Sequence, residues 1–226
     1  MPQQDYRARL QPKDMSRATT ILGPRDNTNI LFPLYSTRGV LFPYTPAIVT
    51  GNVAEYDKSS FTHTIYDYNA YIRSYPKPIS ITAEFTAQTT DEALYLLAVI
   101  HFFRAVTKSY FGITPYNRAG TPPPILLFNY LGEFQFNNVP VLPKSFDFTY
   151  PADIDYVPVN TAGYSYSTTG NEMVNLPANS SNGFSYVPTH MTVSIELENQ
   201  YVPIKLRNEF NLDEFRSGKL VGKGYI

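Results

Sequence analysis

The side chains that most often carry out chemistry are sparse in this chain. It has no cysteine and three histidines, His63, His101 and His190, and none of them has a partner at a spacing typical of metal ligands. Asp153 and Asp155 form a D-x-D pair whose carboxylates could bind a hard cation, although such pairs more often lie in a solvated loop. We therefore expect neither a metal nor a cofactor.

Three carboxylates, Glu84, Glu196 and Glu198, lie on the polar sides of two segments that alternate between apolar and polar residues. If those segments were neighbouring strands, two carboxylates could act as general acid and base, but exposed strand carboxylates without such a role are far more common. The sequence contains no nucleophile elbow, P-loop, dinucleotide-binding glycine pattern or H-E-x-x-H zinc motif. We therefore expect a protein that is not an enzyme.

The segments that carry these glutamates have the clearest strand pattern in the chain. Residues 79–87, ISITAEFTA, and residues 189–198, THMTVSIELE, alternate strictly, which predicts strands with one buried and one wet face. Further strands are expected at 61–75, which is rich in strand formers, at the apolar run 125–131, and as two separate strands within 134–150.

One long helix is predicted over residues 90–111, directly after the first of these strands. Thr89 and Glu92 match a capping box at its start. The helix is apolar nearly all round, a pattern typical of a helix that is buried on more than one side. We expect one side to cover the sheet and the other to contact a neighbouring subunit, which makes Phe102 and Phe103 candidate residues of an assembly interface.

Composition indicates the fold class. Aromatic residues make up 15% of the 226 residues, and charged residues make up 16%, against roughly 25% in an average soluble protein. Abundant tyrosine and phenylalanine favour strands and exclude a coiled coil, a helical bundle or a wholly disordered chain. No window holds 18 consecutive apolar residues and the first residues are polar, so we expect neither a transmembrane helix nor a secretory signal.

The predicted architecture is mainly β: an antiparallel β-sandwich or partly closed barrel with one long flanking helix and extended terminal arms. The domain is expected at residues 30–203, with a long loop at 157–186 that is almost entirely Ser, Thr, Asn, Gly, Tyr and Pro. Residues 1–29 and 204–226 are the predicted arms. Removal of residues 1–25 or of residues 205–226 should leave the domain folded, because neither holds a clean strand pattern.

The net charge of −1 conceals a division along the chain. Residues 1–25 hold five basic and two acidic residues, and residues 205–226 hold five basic and three acidic residues. The body between them is acidic. Two solvated termini would explain this, and so would basic arms that dock on acidic neighbouring subunits. The body lacks a basic patch, so we expect no specific nucleic-acid binding. The candidate arm contacts are Arg7, Arg9, Lys219 and Lys223.

Several blocks of sequence indicate a protein family more specifically than the overall composition does. They are ISITAEFTAQTTDEA running into LYLLAVIHFFRAVTKSYFG, then GTPPPILLFNYLG, FNNVPVLPKSFDFTYPADIDYV and VPTHMTVSIELE. Together they resemble the baseplate tail-tube proteins of contractile-tailed bacteriophages, which cap or initiate the tube between the central hub and the tail tube. The resemblance covers residues 79–198, just over half of the chain.

This resemblance implies a structural virion protein of the tail baseplate that forms a homo-oligomeric ring, expected to be hexameric. Its implied partners are the baseplate hub protein and the tail tube or tube-initiator protein, with the tape measure protein as a further candidate, and no membrane. A tube must pass DNA without binding it, so Glu84, Glu196 and Glu198 are candidates to face the lumen and repel the phosphate backbone. The alternative is that these carboxylates face outward.

A second function class stays open, namely a carbohydrate- or protein-binding β-sandwich module of a virion. Tyr164, Tyr166 and Tyr186 could stack on sugar rings. Size in solution separates the two classes, because a ring former should give hexamers or polymers, whereas a binding module should be a monomer or trimer.

Overall fold

β-Structure dominates the chain, as its content of strand-forming residues predicts. The computed structural model describes residues 6–13, 19–25, 29–111, 119–160, 165–169, 172–175 and 184–226. Strands make up 40% and helices 21%, the strands pair antiparallel, and within these ranges the sheets form no closed barrel. The mainly β, antiparallel class is therefore confirmed, and its layered arrangement is consistent with a sandwich.

Thirteen strands and five helices follow one another along the described residues. The strands are β1 (Arg9–Pro12), β2 (Val40–Leu41), β3 (Ala47–Val49), β4 (Asn52–Ser59), β5 (Tyr68–Pro76), β6 (Ile79–Thr86), β7 (Leu126–Tyr130), β8 (Phe136–Thr149), β9 (Tyr156–Asn160), β10 (Ser165–Thr169), β11 (Glu172–Asn175), β12 (Phe184–Pro188) and β13 (His190–Asn199). The helices are α1 (Thr19–Leu22), α2 (Leu34–Thr37), α3 (Thr90–Val106), α4 (Pro203–Glu209) and α5 (Leu212–Arg216).

A seven-stranded sheet in the order β2-β1-β7-β8-β13-β6-β3 forms the body. Within it, the neighbouring strands β6 and β13 align Ile81 with Ile195 and Ala83 with Val193, and these side chains are buried while their sequence neighbours face the other side. The strands predicted at 79–87, 125–131 and 189–198 are confirmed. Residues 134–150 form one long strand, β8, rather than two.

Helix α3 begins where the sequence predicts. The Thr89 hydroxyl accepts from the Glu92 backbone N–H at 3.3 Å, and the Glu92 carboxylate accepts from the Thr89 N–H at 3.3 Å, which completes the capping box. The helix ends at Val106, five residues earlier than predicted, because the chain tightens there and the Lys108 N–H bonds the carbonyl of Ala105 three residues back.

The chain itself covers the apolar surface of α3, so the expectation that a neighbouring subunit is needed for this is wrong. Phe103 packs on β8, with ring centroids 6.0 Å from Phe146 and 6.4 Å from Phe148. Strands β9 and β12 lie against the helix, and α1 and α2 also contact it. Phe102 and Phe103 are both 0% exposed in the single chain. These two rings therefore have no surface to offer a partner and belong to the core.

The segment predicted as the loop 157–186 begins and ends as strands. β9 and β12 pair along their length, from Tyr156 opposite Pro188 to Asn160 opposite Phe184. β10 and β11 form a hairpin between them. The remaining residues of this segment, 161–164, 170–171 and 176–183, lie outside the described residues. The segment thus supplies part of the layer that covers α3.

Strand β1, within the N-terminal segment, is part of the domain, which corrects the prediction of an extended arm at 1–29. β1 lies inside the main sheet, where Arg9 pairs with Leu41 on one side and with Asn129 on the other. Leu10 is fully buried. Deleting residues 1–25 would open the sheet between β2 and β7, so this deletion should not leave the domain folded.

The C-terminal segment 204–226 also folds back on the domain. A 3₁₀ turn at Val221–Lys223 packs against β8, and Leu220 beside it is buried. Tyr225 stacks on Tyr201, with ring centroids 5.3 Å apart and planes 12° apart. The last residues are therefore anchored, although α4 and α5 bury none of their side chains.

Replacing a core ring of α3 should destabilise the monomer. We expect Phe103→Ala to lower the free energy of unfolding by about 3–5 kcal/mol, since it leaves a cavity between α3 and β8. The matched control is Phe111→Ala, at a ring that is 92% exposed, and it should change stability by less than about 0.5 kcal/mol. Chemical denaturation checks both. A Phe103→Ala variant that keeps its stability but loses self-association would contradict the core assignment.

Candidate functional site

The β4–β5 hairpin is the most unusual surface among the described residues. Among the described residues its two strands pair only with each other, in a two-stranded sheet. Every residue from 68 to 75 is exposed, so both faces of β5 are bare, whereas Val53 and Glu55 on β4 are half-buried. An isolated two-stranded ribbon is at best marginally stable in water. The large exposed apolar side chains of the hairpin are Tyr56, Phe61, Ile65, Tyr66, Tyr68, Tyr71, Ile72 and Tyr75.

Contacts within the hairpin hold these aromatic residues in place. Tyr56 and Tyr71 are cross-strand partners with ring centroids 5.8 Å apart, and Phe61 and Tyr68 are the same distance apart at the tip. Glu55 and Arg73 form a salt bridge of 2.6 Å across the ribbon. The hydrogen bond to Glu55 raises the pKa of Arg73, which stays charged. The hairpin thus exposes a pre-arranged aromatic surface.

Sequence reasoning identified this region only in part. The predicted strand at 61–75 starts at Tyr68, because residues 60–67 form the hairpin connection, in which His63 has a left-handed φ of 66°. Strand β4 was not predicted. One feature of the sequence could have indicated an exposed hairpin, namely the run of tyrosines without alternating apolar residues. A strand with one buried face shows such alternation.

The three predicted carboxylates do share one polar face of the main sheet. Glu84 is opposite Thr192, and Glu196 is opposite Ser80, on neighbouring strands β6 and β13. The two glutamates are four ladder positions apart, roughly 13 Å at 3.3 Å per residue, so they do not form an acid–base pair. Glu198 lies further along β13 and is exposed.

Two basic groups offset part of this charge. Lys144 Nζ lies 3.0 Å from Glu196 Oε1, and this hydrogen bond raises the pKa of Lys144. His190 Nε2 is 3.8 Å from Glu84 Oε2, an ion pair only when the histidine is protonated. The Glu84 side chain keeps 67% of its surface exposed and the Glu196 side chain keeps 35%. The face therefore remains acidic and open.

The basic residues of the two chain ends come close to the same part of the sheet. Arg7 and Arg9 line a cleft together with Arg38 and Asn137. The C-terminal turn lies beside Asn137, since a Cβ on Gly222 would be 4.0 Å from its amide nitrogen. Lys219 precedes this turn and Lys223 is its last residue; both are exposed, but they do not line the cleft.

A second cavity, of about 480 Å³, lies between α3 and the β9–β12 pair. Tyr150, Tyr156 and Tyr186 line it and are each more than half exposed, while His101 and Arg104 line it from the helix. Of the tyrosines predicted to contact sugars, Tyr186 thus lies at a cavity. Tyr164 and the side chain of Tyr166 lie outside the described residues.

The remaining candidates for chemistry are dispersed. Among the described residues, no group of three or more His, Cys, Asp or Glu side chains is placed to hold a metal ion. Asp153 has a left-handed φ of 62° in the turn before β9, and Asp155 is exposed beside it.

His101 should make stability depend on pH. Burial, and secondarily the charge of Arg104, lowers the pKa of His101 in the folded chain. The unfolded chain binds a proton near its usual pKa of about 6.5, whereas the folded chain resists it, so stability should fall as the pH drops below that value. Stability should stop falling once the pH is below the pKa of His101 in the folded chain.

Thermal unfolding from pH 7.5 down to pH 5 measures this pH dependence of stability. It should be lost in His101→Gln and kept in the control His63→Asn, which changes an exposed residue. An unchanged pH profile in His101→Gln would contradict the assignment.

Comparison with known proteins gives no further assignment. No model of a known protein family matches the sequence, and no curated protein matches it. Within the described ranges, no helix has the length and apolar character needed to cross a membrane. A function for this chain is therefore proposed from its residues and their arrangement.

Proposed function

We propose that the chain is a structural subunit that assembles through its exposed surfaces into a ring of a contractile phage baseplate. The exposed aromatic β4–β5 hairpin is the observation that carries this proposal, since a bare two-stranded ribbon needs a partner to cover it. The resemblance of residues 79–198 to baseplate tail-tube proteins supports the particular assembly.

In this proposal, six copies form the ring, the ring joins the hub protein to the tail tube or its initiator, and the protein resides in the virion. The tail-tube type of fold is part of the same proposal. The acidic face of the main sheet would line the channel, with Glu84 and Glu198 most open to it. The tape measure protein is a further candidate partner inside such a channel.

The alternative function, a carbohydrate- or protein-binding module, is favoured by the tyrosine-lined cavity beside α3. Aromatic faces next to Arg104 and His101 are suited to stacking on sugar rings and to hydrogen bonding their hydroxyl groups. A monomer that binds oligosaccharides and loses this binding in Tyr186→Ala would favour the alternative over the ring.

The hairpin should control self-association. We expect Ile65→Ser with Tyr66→Ser to weaken assembly about tenfold or more, because these tip side chains, 91% and 81% exposed, would lose their burial against a partner. Monomer stability should change by less than about 0.5 kcal/mol. Light scattering over a concentration series measures the assembly.

The matched control is Phe111→Ser with Phe134→Ser, which removes two large apolar side chains outside the hairpin that are 92% and 76% exposed. It should assemble like the wild type. If both variants lose assembly equally, exposed apolar surface promotes association non-specifically. If the hairpin variant assembles like the wild type, the proposed hairpin contact is wrong.

The acidic sheet face should speed the passage of DNA. Replacing Glu84 and Glu198 by Lys leaves the Lys144–Glu196 pair intact and creates phosphate-binding charges, so ejection from assembled particles should slow, more strongly at low salt. The variant with Glu84→Gln and Glu198→Gln should eject DNA at an intermediate rate. The control Glu209→Lys, on α4, should leave the ejection rate unchanged. Normal ejection by the Lys pair at low ionic strength would show that this face does not line the channel.

A further inference from the structure

Two polar side chains interrupt the apolar surface of helix α3, and both lie at one cavity. Within residues 96–106, His101 and Arg104 are the only residues with a polar side chain. They are three positions apart, so they share one face of the helix with Leu97 and Ile100. This face lines the cavity of about 480 Å³ beside β9 and β12, a size within the range of about 300–1,000 Å³ that is typical of ligand sites.

The guanidinium group of Arg104 is available to a ligand. Arg104 is exposed, and it forms no ion pair with any group in the part of the chain that the structure describes. The described lining residues include no Asp or Glu. Asp153 and Asp155 flank Ile154, which lines the cavity, but they do not line it themselves. The cavity therefore offers a positive charge that an anionic group could neutralise.

The other polar groups of the cavity suit hydroxyl groups rather than charges. Burial, and secondarily the charge of Arg104, lowers the pKa of His101, so its ring is uncharged at neutral pH. An uncharged imidazole ring accepts a hydrogen bond at one nitrogen and donates one from the other. Ser185 also lines the cavity and can donate and accept. A ligand with several hydroxyl groups would match these partners.

Three tyrosine rings border the cavity and keep much of their surface exposed. Tyr150 is 51% exposed, Tyr156 67% and Tyr186 66%. The ring of Tyr150 is 6.4 Å from that of Phe148, which packs on α3. Tyr156 is opposite Pro188, two residues from Tyr186, so these two tyrosines lie on the same face of the β9–β12 pair. Such aromatic surfaces are suited to the C–H faces of sugar rings.

We propose that this cavity binds an acidic oligosaccharide, whose sugar rings carry carboxylate groups. The tyrosine rings contact the sugar rings, His101 and Ser185 bond hydroxyl groups, and Arg104 pairs with a carboxylate in bidentate geometry. A neutral sugar would not use Arg104, and an inorganic anion would not use the tyrosines.

This site deepens the carbohydrate-binding alternative, on which it rests, by naming the class of sugar. It also goes beyond the proposed ring and needs no second copy, because the described lining residues belong to one chain.

Fluorescence anisotropy with labelled trisaccharides of galacturonic acid and of mannuronic acid tests the proposal on the full chain. The neutral reference for each is its methyl ester, which has the same sugar rings without the carboxylates. The wild type should bind at least one acid about tenfold or more tightly than the corresponding ester, because only the carboxylate can form the charged bidentate hydrogen bonds. This preference should shrink as the salt concentration rises.

The variants separate the charge from the aromatic contacts. Arg104→Gln should weaken binding of the acid about tenfold and leave binding of the ester within about twofold. The matched control Arg207→Gln, at an exposed residue on α4, should bind both within about twofold of the wild type. Tyr186→Ala should weaken binding of acid and ester alike, whereas Tyr186→Phe, which keeps the ring, should bind both nearly as well as the wild type. Thermal unfolding of each variant verifies that it is folded.

Each possible failure has its own signature. Equal binding of acid and ester by the wild type would overturn the acidic sugar and leave the carbohydrate-binding alternative standing. Equal weakening in Arg104→Gln and Arg207→Gln would show that binding follows net charge, which would overturn the site. No binding of any of the four trisaccharides would overturn both the site and the carbohydrate-binding alternative. Light scattering on the same samples tests the ring separately.

Discussion

The apolar surface that runs all round helix α3 must be removed from water, and most of the chain is arranged to meet that constraint. Each large apolar side chain that is buried contributes about 1.5–3 kcal/mol, so leaving one side of this helix bare would consume much of the net stability of a domain. The main sheet covers one side. The β9–β12 pair, α1 and α2 cover the others, and the Tyr95 hydroxyl bonds both backbone groups of Leu41 on β2.

Because the chain covers its own helix, the surfaces available for the proposed contacts lie elsewhere. Strand β5 of the hairpin is exposed on both faces, the outer face of the main sheet is acidic, and Arg7, Arg9 and Arg38 line a cleft. These three surfaces differ in chemistry, which suits a subunit with several different contacts. The proposed baseplate ring assigns the hairpin to subunit contact and the acidic face to the channel.

Sequence patterns that span only a few residues were enough to predict part of the fold. The strict alternation in 79–87 and 189–198 and the Thr89–Glu92 capping box act within a few residues, and each is confirmed. The carboxylates on the wet faces were located for the same reason. What could not be predicted depends on long-range pairing, including which strands cover Phe102 and Phe103 and the insertion of β1 between β2 and β7. The arginine cleft depends on the same pairing.

Hydrogen–deuterium exchange of dilute against concentrated protein tests the central claim that assembly uses the hairpin and not the helix. Residues 52–76 should gain protection as the concentration rises, because a partner covers their exposed backbone. Residues 90–106 should be equally protected at both concentrations, since the chain already buries them. New protection confined to α3, with the hairpin exchanging freely at every concentration, would contradict the account.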